Sequence, residues 1–138
     1  MDVLVLIGRV LFAILFLGSA YGHLAQGRAM VGYVESRGVP LAKLAVPVSG
    51  IQILLGGLMV LLGVWADLGA LLLLAFLVPT AVLMHAFWKE TDAQTRQMEQ
   101  IQFMKDMALG GAALMLFAFF AHVGDLGLTI TGPLFSLD

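Results

Sequence analysis

Four apolar runs of similar length, separated by short polar segments, organise this chain. The first, Val3 to Gly22, is broken once by Arg9, and the second, Leu44 to Val64, carries Pro47, Ser49 and Gln52 but no charge. The third, Leu68 to Trp88, holds Pro79, Thr80 and His85. The fourth, Phe103 to Val123, has Lys105 and Asp106 near its start and His122 near its end. A hydrocarbon layer of ~30 Å takes about 20 helical residues at ~1.5 Å each, which matches every run. No strand-like alternation competes, and in lipid a helix satisfies its own backbone groups. The expected fold is therefore all-α: an integral membrane four-helix bundle forming a single transmembrane domain over residues 1–138. The first run reads as a span, not a cleaved signal peptide, because Asp2 precedes it without any basic residue and Arg9 splits its apolar centre.

The connecting segments have structure of their own. Between Arg28 and Lys43, Met30, Val31 and Val34 fall at helical spacing before the breakers Gly38 and Pro40. This predicts an amphipathic first loop, either a short interfacial helix or a continuation of the first span. Thr91 or Asp92 supplies an N-cap ahead of the polar stretch that follows, so the fourth helix starts in water and enters the bilayer as one long rod. The stretch from Gly124 to Asp138 is too short to span and predicts a C-terminal flap on the bundle, turned at Gly132-Pro133. Arg28, Arg37 and Lys43 lie in the first loop, and Lys89 and Arg96 in the third. The opposite end has Asp2, Asp67, Asp125 and Asp138, with no basic residue outside the first span. The positive-inside rule then puts loops 23–43 and 89–102 in the cytoplasm and both termini outside a bacterial-type inner membrane.

Composition sharpens what is excluded. Charged residues are 12% of the chain, about half of what a soluble domain carries, and mean hydropathy is +1.01. A net charge of −2 leaves no electrostatic case for nucleic acid. Zero cysteines remove disulfides, thiolate metal sites and cysteine-ligated iron–sulfur clusters.

Because lipid tails are as apolar as leucine, the helices must meet through close backbone approach and polar contacts. Gly18 and Gly22 form a GxxxG pair in the first span. Gly50 with Gly57 and Gly56 with Gly63 repeat at heptad spacing in the second, and Ala108 and Ala112 flank Gly110 and Gly111 in the fourth. These small faces predict packing within the chain ahead of dimerisation. Pro79 predicts a kink, its freed carbonyl met by Thr80 or a neighbour.

Intramembrane ionisable groups need a partner or a task. Arg9 lies roughly 9 Å below the outer boundary and Gln52 about 18 Å below it, counting ~1.5 Å per residue. Arg9 has two readings: a donor to an anion or quinone carbonyl inside the bundle, with Gln52 close by, or a structural hydrogen bond across helices or to the headgroups. His23, His85, Lys105 and Asp106 share one level near the cytoplasmic side. They read either as a polar pocket serving proton relay or headgroup binding, or as an ordinary belt of helix-end polar residues. His85 and His122 stand at opposite ends of the core and cannot share a haem iron. His23 with His85, matched in level alone, is too little for haem. No metal set is expected, since the spans hold one acid, Asp106.

Several phrases together resemble the DoxX/DoxD family of small four-helix membrane proteins. Gly8-Arg9 through Ser19 is similar to the family's arginine-bearing first helix, and Gly32 to Leu44, with Gly38 and Pro40, to its first loop. Leu54 to Val64 resembles its second helix; His85 to Glu90 and Gln102 to Leu114 resemble its His-x-Phe-Trp and Phe-x-Lys-Asn signatures. The likeness runs from residue 5 to about 120. Three positions depart from the pattern: His23 where a lysine is usual, Gln52 near the place of an acid, and Asp106 for the asparagine. The resemblance implies an inner-membrane oxidoreductase subunit, since relatives are linked to thiosulfate:quinone oxidoreductase and membrane redox complexes. The expected role is an accessory subunit of a redox complex that binds a quinone-like or lipid molecule among its helices, with Arg9, Gln52, His23, His85, Lys105 and Asp106 as ligand-binding candidates. The alternative is a purely structural or assembly subunit with no ligand chemistry. Other membrane subunits or further copies of the chain are the expected partners. Four helices show no inverted repeat of the kind a transporter uses.

Overall fold

The computed structural model describes all 138 residues as helices, turns and a C-terminal tail, with no strand. Helix α1 spans Asp2–Ala25, α2 Gly27–Ser36, α3 Ala42–Leu62, α4 Ala66–Met84 and α5 Ala93–Val123, with a 3-10 turn at Phe87–Lys89. Four of them, α1, α3, α4 and α5, are long and apolar enough to cross a membrane. The apolar exterior of a membrane bundle faces acyl chains, and large residues such as Leu11, Ile14, Leu55 and Met115 are at least half exposed. The main interior cluster has Phe16, Ala20, Ile53, Leu73, Leu77 and Ala113 at its centre.

The first loop is a separate short helix, α2, held by Val34 against Ala42 and Val46 with Met30, Val31, Val39 and Met84 around them. Asp92 is the α5 cap: its carboxylate accepts the Thr95 amide at 2.9 Å, satisfying a free N–H of the first turn. The third helix ends four residues before the expected position, at Met84. The apolar Phe87 and Trp88, which hydropathy assigns to the span, instead fold back edge-on to Phe103 of α5. Aromatic rings stack well in that geometry, and the fold-back takes His85 out of the helix into a bonding position described below.

Helix α3 packs on α1 and on α4, and α4 on α5, while the α1–α5 seam has no comparable backbone packing. The closest approach is between α3 and α4. A Cβ on Gly69 would lie 2.7 Å from the Met59 Cβ and 3.0 Å from the Gly56 carbonyl oxygen, so only glycine fits that crossing. The Gly18-Gly22 pair of α1 does not work this way: nothing lies within 4 Å of where a Gly18 Cβ would stand, and Gly22 faces only the tip of Met30.

Candidate functional site

The terminal end of the bundle is closed by two buried charges. A helix leaves its last four carbonyls without partners, and those of α3 are all met. Gly63 takes the left-handed conformation (φ 67°), and its amide and that of Val64 donate to the Met59 carbonyl. Arg9 Nε donates to Val60 O at 2.8 Å and Arg9 Nη2 to Leu61 O at 2.6 Å; the Ile130 amide reaches Leu62 O at 3.3 Å. Arg9 Nη1 also donates to Leu128 O in the tail at 2.9 Å. Its guanidinium is thus a cap on the negative end of the α3 dipole. Asp67, fully buried at the start of α4, accepts the amides of Leu134 and Phe135 at 3.0 and 2.7 Å. The expected flap is therefore a strapped tail. Asp67, read from the sequence as a loop acid and left out of the count of span acids, is instead a second buried acid of the bundle.

Arg9 and Gln52 do not meet. The Gln52 amide nitrogen donates to Leu72 O of α4 at 2.9 Å, while Arg9 is drawn to the free carbonyls at the helix end. Of the two readings of Arg9, the hydrogen bond across helices is the one the structure shows, and the site shared with Gln52 is corrected, because five fixed donors seek an open helix terminus before a single mid-helix amide. Proximity on one depth scale ignored which face each side chain takes.

The other five candidates converge at the opposite, loop end. A cavity of about 350 Å³ is lined by His23, Gln52, His85, Lys105 and Asp106, and not by Arg9. Its apolar wall includes Val46, Phe76 and Leu83, and Tyr33 and Met30 of α2 lie across it. His23 Nδ1 stands 3.0 Å from Ser49 Oγ and 3.2 Å from Val46 O, and its ring packs edge-on to Phe76. Gln52 uses one amide hydrogen on Leu72, which leaves its second hydrogen and its oxygen for another group. Pro79 has no N–H for the Ala75 carbonyl, and both residues line the same space with Thr80. The Thr80 hydroxyl does not serve as the partner expected for that carbonyl.

At the mouth of the cavity the charges form a connected series. Arg37, just past the end of α2, donates to Glu90 at 2.7 Å and lies 3.8 Å from Glu99. Glu99 is 2.7 Å from His85 Nδ1, His85 Nε2 is 3.6 Å from Asp106, and Lys105 is 3.4 Å from the other Asp106 oxygen. His85, Glu99 and Asp106 side chains are only 15%, 15% and 7% exposed, so the pairs are screened much less than surface ones. Burial lowers the Arg37 pKa, but the Glu90 bond and the nearby Glu99 outweigh it and hold the value above normal. Burial, aided by Glu99, raises that of Tyr33. Sequence reading missed Glu99, Arg37 and Glu90. The signal was present, since Glu99 lies two helical turns before Asp106 on α5, but nothing local shows that α4 ends early enough to bring His85 between them.

A family model described as DoxX matches residues 4–86. The inner membrane protein YphA of Escherichia coli (strain K12) is 29% identical over 115 residues, 83% of this chain and 81% of that protein. No solved structure matches.

Proposed function

The chain belongs to the DoxX family of integral membrane proteins, and on that footing we propose that it is an accessory subunit of an inner-membrane redox complex, holding a quinone-like or lipid molecule in the loop-end cavity. One observation carries the reading: a space of about 350 Å³ within the bundle combines an apolar wall with convergent polar groups from His23, Gln52 and His85. Such a mixture suits an amphipathic ligand whose ring or chain meets Phe76 and Leu83 while its oxygen meets a donor. With no cysteine in the chain, electrons travel on the bound molecule or on a partner. Arg9 serves this role indirectly, by closing the far end. The inner-membrane assignment follows the YphA relative, and the five loop-end cations Arg28, Arg37, Lys43, Lys89 and Arg96 support a cytoplasmic setting for that end.

The test is extraction of the protein in mild detergent followed by organic extraction and mass spectrometry. Quinone or a specific lipid should exceed that on an unrelated membrane protein purified in parallel, and Gln52→Leu with His23→Leu should reduce it at least severalfold. Equal amounts on the control, or no loss in the double variant, would reject the reading. The sparse backbone packing between α1 and α5 favours the alternative, a purely structural or assembly subunit with no ligand chemistry. In that case native pull-down recovers a partner whose binding survives the cavity variants.

A further inference from the structure

The geometry points to a proton path from the aqueous end of the bundle into the cavity, running from Glu99 through His85 to Asp106. The inference rests on the cavity being a ligand site, but its geometry stands without any ligand. An imidazole is unusual in carrying two ring nitrogens that can gain and lose a proton independently. Here each nitrogen faces a carboxylate, Glu99 at 2.7 Å on Nδ1 and Asp106 at 3.6 Å on Nε2. Glu99 stands outside the cavity lining near Arg37, itself paired with Glu90, whereas His85, Lys105 and Asp106 line the cavity. A belt of unrelated helix-end residues would not place one ring between an acid outside the cavity and an acid lining it.

The step balances without electrons. A proton on the Glu99 carboxyl passes to His85 Nδ1 while the Nε2 proton passes to Asp106, so Glu99 ends ionised, His85 stays neutral in its other tautomer, and Asp106 becomes a carboxylic acid facing the cavity. The first leg is already a hydrogen bond. The second is just beyond one and needs a side-chain shift of about half an ångström, within the range of nanosecond motion. Arg37 is a positioning residue: it holds Glu99 from the C-terminal cap of α2 while bonded to Glu90. The groups facing the path are Tyr33 from α2, Arg37 at its C-terminal cap, Glu90 after the 3-10 turn, and Lys105 beside Asp106. His23 of α1 faces the cavity from the far side.

Infrared difference spectroscopy on the full chain in proteoliposomes, titrated from pH 4 to pH 9, reads the carboxyl bands directly. Glu99→Gln and Asp106→Asn assign them. If protons reach Asp106 through His85, Glu99→Gln should slow the response of the Asp106 band to a pH jump at least tenfold, and His85→Gln should slow it as much. An Asp106 response as fast in Glu99→Gln as in the wild type overturns the path. Should a variant fail to fold, imidazole nitrogen NMR of the wild-type chain decides: His85 must show both tautomers exchanging across the titration, and a single fixed tautomer sinks the inference. Neither readout needs a ligand. Loss of quinone or lipid retention therefore rejects the proposed function alone, and an unslowed Asp106 response rejects the path alone.

Discussion

Replacing Arg9 with methionine removes the side chain that caps α3 and ties the tail to it. Three hydrogen bonds vanish, to Val60 O, Leu61 O and Leu128 O, at 2.8, 2.6 and 2.9 Å. Bonds from a charged donor contribute about 1.5–3 kcal/mol each, a gross loss of about 5–9 kcal/mol. Methionine recovers part of the cost of burying a cation that is 1% exposed, which leaves a net loss of about 3–5 kcal/mol. That is a large share of a typical stability of about 5–15 kcal/mol. The loss should appear as a lower midpoint in SDS-induced unfolding of the protein in mixed micelles, followed by far-ultraviolet circular dichroism. Amide exchange at Ile130 and Thr131, which donate to Leu62 and Gly63 of the same helix end, should accelerate well before global unfolding. Lysine keeps the charge but not the fork of donors, so Arg9→Lys should fall between the two. A loss under about 1 kcal/mol in Arg9→Met, with Ile130 and Thr131 still protected, would refute the capping argument.

Two further outcomes follow from the packing and the caps. Gly69→Ala places a methyl 2.7 Å from Met59 and 3.0 Å from the Gly56 carbonyl, so α3 and α4 must part at a cost of about 1–3 kcal/mol. Gly18→Ala, with nothing within 4 Å, should be neutral in the same unfolding assay, and equal effects would discredit the assigned crossing. The Thr95 amide and hydroxyl hold the Asp92 carboxyl below its ordinary value of 3.8, so its capping contribution is complete above that value and is lost as pH falls through the lower folded one. Thr95 should therefore keep slow amide exchange from neutral pH down past pH ~4 and lose it at neutral pH in Asp92→Ala; unchanged exchange in that variant would contradict the cap.

Hydropathy and local chemistry were enough for much of the architecture. Each apolar run is long enough to cross a bilayer, and lipid permits such a run little besides a helix. That logic holds for α1, α3, α4 and α5 to within a few residues, for the Asp92 start of α5, and for a tail that folds back. The same reasoning grouped His23, His85, Lys105 and Asp106 by depth, and they do share a cavity.

What depth cannot convey is direction around a helix or the partner at its end. Arg9 and Gln52 were near in depth yet turn to different neighbours, Arg9 to the open carbonyls of α3 and Gln52 to α4. Glu99 and Arg37 look like solvated loop charges until α4 stops at Met84 and presents His85 to them. Gly18-Gly22 has the spacing of a packing motif but no neighbour, whereas Gly56 and Gly69, distant in sequence, make the closest crossing. Membrane insertion depends on summed transfer free energy along a segment, which composition supplies. Pairing depends on the azimuth and register of two packed surfaces, and those exist only once the helices have met.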